Sequence, residues 1–170
     1  MQVFGFQPGR SLDAGQEVTS GCGSQHLGRP RVHGGARDGD LDIYVSNYRL
    51  QENFLWTNDR GRFTNTAPML DVSGTETEGW WGHTIGSAWG DMDGDGDLDL
   101  VSANLAHPRY IEVSDMSMLL RNEGAPDWHF TDVRASEGMK YAETHSDPVW
   151  WDVDSDGDLD LFITSIYANC

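Results

Sequence analysis

Positive charge is scarce in this sequence: 11 lysines and arginines stand against 28 aspartates and glutamates in 170 residues, a formal charge of −17. Such a chain repels phosphate backbones and anionic lipid, so nucleic acid and membrane surfaces are poor partners for it. Long apolar runs are missing too, and nothing approaches the length needed to cross a bilayer, so no membrane insertion is expected. The opening residues "MQVFGFQPGRSLDAGQ" show neither a basic stretch nor an apolar core of a secretory signal; if the parent protein is exported, its signal lies outside these residues. Cysteine is limited to Cys22 and Cys170, near opposite ends, from which neither a disulfide framework nor a zinc pattern can be read. No amphipathic helix stands out, and no GxSxG elbow, HExxH zinc helix or phosphate-cradling glycine loop is present, so a non-enzymatic protein is expected.

What the sequence does contain is aromatic mass, with seven Trp, six Phe and five Tyr, more than a solvated acidic tail carries; the chain should fold, by default as one domain. It also contains repeats. "ARDGDLDIYVSNY" from Ala36, "GDMDGDGDLDLVSAN" from Gly90 and "WDVDSDGDLDLFITS" from Trp151 align, with the equivalent Asp42, Asp99 and Asp160 57 and 61 residues apart. The likeness continues downstream, where "NFLWTNDRGRFTNTA" from Asn53 matches "SMLLRNEGAPDWHFTDVR" from Ser117.

Each unit reads as short strands: one before the aspartates ("HTIGSAW", "PVWW"), one after them, then two more at "MLLRNE" and "HFTDVR". The nearly continuous apolar runs "LDLVSANL" and "LDLFITSI" suit strands whose two faces both touch neighbouring layers. Four antiparallel strands repeating at about 60 residues predict an all-β chain, a partial β-propeller of about 2.5 blades, with units near 36–75, 80–138 and 144–170. Closed propellers have about four to eight blades, so the remainder is expected from the parent chain or from self-association. Residues 1–35 break the pattern: the Gly- and Arg-rich stretch from residue 7 occupies the place of the first unit's leading strand and is expected to be poorly ordered or a degenerate blade.

The spacing DxDxDGxxD explains why carboxylates crowd beside a buried strand. A hard divalent cation takes six to eight oxygens at roughly 2.3 to 2.6 Å, which a short chain supplies from alternate positions of a tight loop. Asp91, Asp93 and Asp95 would give side-chain oxygens, Gly96 the turn, Asp97 its carbonyl, and Asp99 the closing carboxylate at the start of the strand; Asp152, Asp154, Asp156, Gly157, Asp158 and Asp160 take the same roles in the third unit. Two carboxylates about 4 Å apart repel by about 1 kcal/mol in water and about 4 kcal/mol near a protein surface, so a cation reverses the sign of the interaction. Three, five and five of the acidic residues lie in the three loops, leaving 15 against 11 basic elsewhere, so the acidity is local chelation chemistry. Two Ca²⁺ sites are expected, with a third, weaker one at Asp38, Asp40 and Asp42, where Gly34 and Ala36 replace the first two aspartates. An EF-hand would need Glu at position 12 and flanking helices; Ser102 and Ile163 stand there and the flanks are strands. Nothing repeats at nine residues, which excludes the calcium-binding nonapeptide solenoid.

These residues resemble the FG-GAP or VCBS repeats, whose integrin-type blades carry calcium in a DxDxDGxxD loop. "SMLLRNEG" and "HFTDVRASEGM" are similar to the unit endings found before the ASPIC/UnbV domain of cartilage-acidic-protein-like proteins. The resemblance implies an extracellular, periplasmic or cell-surface propeller, stabilised by calcium and used for adhesion or for binding a protein or glycan ligand. A carbohydrate-binding or catalytic, lyase- or hydrolase-associated module is the alternative, with Trp80, Trp81, Trp150 and Trp151 as a possible stacking platform, although Trp89 and Trp150 hold equivalent positions and read as blade-to-blade packing. His83 and His145, eight and seven residues before the first aspartate of their loops, are expected to be packed or hydrogen-bonded rather than ligands. The insertion Leu105 to Ser117 lengthens a connection where a binding surface could grow.

Overall fold

The computed structural model describes residues 25–28, 40–105, 115–126, 128–139 and 145–165. Asp38, Cys22, Cys170 and most of the insertion after Leu105 lie outside the described residues, as does most of the 1–35 segment. The described residues form three antiparallel sheets and no α-helix, an all-β arrangement of propeller-type blades. No helix among them is long and apolar enough to cross a membrane.

The first sheet runs β1 (Gln25–Gly28), β2 (Asp42–Val45), β3 (Phe54–Asp59), β4 (Arg62–Asn65) in that order, and a short 3-10 turn, Ala67–Met69, follows it. The second runs β5 (Thr84–Gly90), β6 (Asp99–Asn104), β7 (Met118–Asn122), β8 (Phe130–Asp132); the third pairs β9 (His145–Trp151) with β10 (Asp160–Ser165). The repeat is legible in the register, where Gly28 faces Asp42 as Gly90 faces Asp99 and Trp151 faces Asp160. The first unit does have a leading strand. It escapes sequence alignment because thirteen residues separate Gly28 from Asp42, against eight between Gly90 and Asp99.

Alternation along β6 decides how the sheets stack. Successive side chains of a strand point to opposite faces. Leu100 enters one core with Tyr44, Leu55, Val72, Leu120 and Phe130, while Val101 enters a second with Ala88, Leu119 and Val133. All six residues of β6 are buried, so the run "DLVSAN" is apolar on both faces because both faces are covered. The first core lies between the first and second sheets; Trp89 packs against it, edge-on to Tyr44 at 5.9 Å and to Phe130 at 6.0 Å between ring centroids. Trp150 holds the equivalent place against the second core, beside Leu161 and Ile163. The two tryptophans are the repeated wedge between blades.

Tyr44 is fully buried, and its hydroxyl donates to the Val72 carbonyl at 2.9 Å, tying β2 to the segment that leads into the second unit. Burial pushes its phenol pKa far up, so it stays neutral. Tyr44→Phe keeps the packing but leaves that carbonyl without its donor, and it is expected to cost about 1 kcal/mol in urea unfolding with an unchanged slope.

Candidate metal centre

Tight loops of the kind needed to gather carboxylates must turn through left-handed backbone. Gly94 (φ 74°) and Gly96 (φ 89°) do so between β5 and β6, and Ser155 (φ 62°) and Gly157 (φ 102°) do so between β9 and β10. The second position is glycine in both loops; the first tolerates Ser155, a conformation disfavoured for a residue with a Cβ.

Internal hydrogen bonds then set the carboxylates. Asp91 accepts from the Gly96 N–H at 3.0 Å and Asp152 from the Gly157 N–H at 3.1 Å, the same bond in the two repeats. Asp95 accepts from the Asp97 N–H at 2.8 Å, and Asp156 from the Asp158 N–H at 3.0 Å. Asp93 accepts from the Asp95 N–H at 3.2 Å, and Asp154 from the Asp156 N–H at 3.3 Å.

Two clusters result. Asp91, Asp93 and Asp99 each bring a carboxylate oxygen within 4.8 Å of the others, and so do Asp152, Asp154 and Asp156. Of the remaining candidates, Asp95, Asp97, Asp158 and Asp160 fall outside these sets of three. Two oxygens bound to one Ca²⁺ can be at most about 5 Å apart, twice the metal–oxygen distance, so each set fits around one ion. The donors are all hard oxygens, which suit Ca²⁺, Mg²⁺ or Mn²⁺, and a flexible loop suits the larger Ca²⁺ best. Asp91 adds a sharper observation: its Oδ1 is buried and has no hydrogen-bond partner. A buried carboxylate oxygen without a donor is costly unless a cation lies beside it.

Asp99 is the best-supported member of the set. Only 1% exposed, it accepts from the Met92 N–H at 2.7 Å through Oδ2 and from the buried Asn122 N–H at 2.8 Å through Oδ1. Burial, together with the charges of Asp93 and Asp95, pushes its pKa up to about 6 against the pull of the two N–H groups. Asn122 returns the contact, donating from its side chain to the Leu98 carbonyl at 3.3 Å and accepting from the Gly124 N–H at 3.1 Å. The first unit repeats this clamp: Asp42 accepts from the Asn58 N–H at 2.7 Å, and Asn58 bonds the Leu41 carbonyl at 3.2 Å and the Gly61 N–H at 2.7 Å. These third-strand asparagines are site residues that motif spacing does not reveal, although their equivalent places in "WTNDRG" and "LRNEG" were the available signal. Asp160 accepts only from the Val153 N–H at 3.1 Å and is exposed, since no third strand covers it among the described residues.

In the first loop, Asp40 accepts from the Arg60 N–H at 2.6 Å and Asp42 is held by Asn58. Among the described residues no set of three ligands forms there.

The histidines are engaged in packing and bonding. His83, just ahead of β5, lies against the Tyr48 ring at 4.9 Å between centroids. His145 Nδ1 is 2.8 Å from Ser117 Oγ, which also accepts from the Asn104 N–H at 2.9 Å, so the bond joins the second and third sheets. Burial lowers the His145 pKa below its ordinary 6.5. The unfolded chain then binds the proton more readily, and stability falls as pH drops through 6.5 toward the folded value. The His145 contribution in chelator, read as the melting temperature of the wild type minus that of His145→Gln, should therefore decline as pH falls below 6.5.

Trp80 and Trp81 do not lie on a strand: Trp80 closes a tight turn by exchanging backbone hydrogen bonds with Thr77 and is exposed. Trp81 lines a groove of about 350 Å³ together with Asp71, Thr75, Asp132, Met118, Leu120 and Phe130.

Compared with known protein families, residues 36–102 match the FG-GAP-like repeat. The match begins at the first acidic loop and ends inside β6, so it takes in the whole second loop. No curated protein matches the chain.

Proposed function

From the match of residues 36–102 to the FG-GAP-like repeat, we propose that this protein is a calcium-binding propeller module, non-catalytic, working outside the cell, in a periplasm or at a cell surface in adhesion or ligand binding. The observation that supports calcium most directly is the pair of three-carboxylate clusters, one holding a buried Asp91 oxygen without a partner. Bound calcium would supply the positive charge that lets each hairpin loop stay closed against its strands. Asp91, Asp93 and Asp99 would hold one ion and Asp152, Asp154 and Asp156 the other, with Asp95, Asp97, Asp158 and Asp160 completing the shells through side chains, carbonyls or water. Each of the two three-carboxylate clusters is thereby committed to a structural ion rather than to acid–base chemistry.

A protein or glycan ligand is the proposed partner. The groove beside Trp81 is a candidate seat, since an aromatic residue with carboxylates and hydroxyls lining the same cleft suits a sugar ring.

Calorimetric titration of chelator-treated protein tests the calcium reading. Two sites with dissociation constants on the order of 10⁻⁴ to 10⁻³ M are expected. At roughly tenfold to hundredfold excess over that constant, each site adds about 1.4 to 2.7 kcal/mol, enough together to raise the melting temperature on the order of 10 °C. Asp91→Ala should remove one site and Asp152→Ala the other; no heat and no change in melting on adding calcium would refute the proposal.

A further inference from the structure

The second place of each complete acidic loop is apolar: Met92 lies between Asp91 and Asp93, and Val153 between Asp152 and Asp154. Their backbones make the same bond, with the Met92 N–H donating to Asp99 Oδ2 at 2.7 Å and the Val153 N–H to Asp160 Oδ2 at 3.1 Å. Their side chains differ in placement. Val153 is 50% exposed, whereas Met92 is half-buried and packs against the core of Ala88, Val101, Leu119 and Val133.

That core is the joint between the second and third sheets. Trp150, Leu161 and Ile163 of the third sheet pack against the same four residues, and the Trp150 indole occupies the space a Cβ on Gly90, just ahead of the loop, would need. The third sheet is therefore held at two ends of β9. At the far end the His145 bond to Ser117 and the close approach of Gly86 to Ser146 fix it. At the near end it leans on a core to which one residue of the acidic loop contributes.

Met92 thus joins two structures. Along the chain it stands between two of the three clustered carboxylates, and its N–H holds the third; its side chain belongs to the joint. Among the described residues no other member of the second loop packs into that core, and none packs into the core shared with the first sheet. Carboxylates converging within 4.8 Å, one with a buried oxygen lacking a partner, repel one another in the metal-free loop. Repulsion that spreads Asp91 from Asp93 carries Met92 with them.

Resting on the calcium reading above, we propose that Met92 couples the second acidic loop to the third sheet: an ion held by Asp91, Asp93 and Asp99 fixes Met92 in the core, and the third sheet docks more firmly on the second. The coupling is reciprocal, so the packing of Met92 raises calcium affinity by the factor by which calcium tightens the joint. It is confined to one neighbour, because the first sheet meets the second through Leu100, Met118, Leu120 and Trp89, none of which lies in the loop.

Hydrogen exchange of Asp152→Ala, with and without saturating calcium, tests the proposal, because only the second loop then keeps its full cluster. Calcium should slow exchange in β9 and β10 about fivefold or more while the first sheet is unchanged. Adding Met92→Ala should leave the heat of calcium binding in place at about fivefold weaker affinity and abolish the slowing. Met92→Gln, which keeps the length but not the apolar character, should behave as Met92→Ala does, and Met92→Leu should restore the slowing. Calcium heat without slowing in β9 and β10, equal slowing in all three sheets, or slowing that survives both Met92→Ala and Met92→Gln would overturn the coupling alone. An Asp152→Ala protein that takes up no calcium at all would overturn the calcium reading and the coupling with it.

Discussion

Asp99→Ala is expected to destabilise the protein by about 2 to 4 kcal/mol in chelator, before any metal is considered. Its carboxylate is the acceptor for two backbone N–H groups, Met92 at 2.7 Å and the buried Asn122 at 2.8 Å, and each donor left without a partner costs about 1 to 3 kcal/mol. The equivalent Asp160 accepts one bond, at 3.1 Å, from an exposed position, so Asp160→Ala should cost below about 1 kcal/mol under the same conditions. Equal losses at the two positions would show that cover from β7 does not matter. A conservative variant separates structure from charge. Asp99→Asn keeps an acceptor for Asn122 and removes the ionised group, so its cost in chelator should be about 1 kcal/mol while the calcium response of that one site is lost and the site at Asp152, Asp154 and Asp156 keeps its own. The pH dependence has a definite sign. Because the folded carboxyl titrates at about 6, above its ordinary 3.8, the folded chain holds the extra proton, and metal-free stability from this group falls as pH rises between those values. Denaturant midpoints in chelator should show that slope in the wild type and lose it in Asp99→Asn.

Much of this arrangement is legible in the sequence because repetition and strand period are local properties. Leu100 and Val101 sit side by side in an apolar run, and burial of both is what separates a central blade strand from a surface one. The loops announce themselves through aspartates at alternate positions, and the structure draws Asp91, Asp93 and Asp99 together. What escapes is non-local. Asn58 and Asn122 look like ordinary turn residues, yet they clamp an aspartate 16 and 23 residues earlier in the chain. Ser155 adopts a left-handed conformation where the second unit has Gly94, which no property of serine suggests. The turn at Thr77 and the left-handed Glu78 and Gly79 hold Trp80 and Trp81 off the sheet, a placement that their position ahead of "HTIGSAW" does not announce. The first unit's leading strand hides behind a connection longer than its equivalent.

The largest non-local constraint is carried by two glycines of β5, and substituting the first is expected to be the most damaging change in the chain. A Cβ at Gly86 would fall on the Ser146 carbonyl oxygen and 3.0 Å from Pro148 Cδ, so the obstacle is largely the backbone of β9 and neither strand can yield without moving its sheet. At Gly90 a Cβ would meet the Trp150 indole, 2.5 Å from Cδ1 and 2.6 Å from Cγ, and a side chain can rotate where a backbone cannot. Overpacking typically costs about 1 to 3 kcal/mol, so Gly90→Ala should sit within that range and Gly86→Ala at or beyond its upper end. The two variants should differ in kind as well. Gly86→Ala forces β9 from β5 and with it the His145 bond to Ser117, so hydrogen exchange should accelerate throughout β9 and β10 while the first sheet keeps its protection. Gly90→Ala shifts one ring, so exchange should accelerate only near Trp150. Wild-type protection of β9 and β10 in Gly86→Ala would mean that the second and third sheets are not held as closely as the Gly86 to Ser146 approach requires.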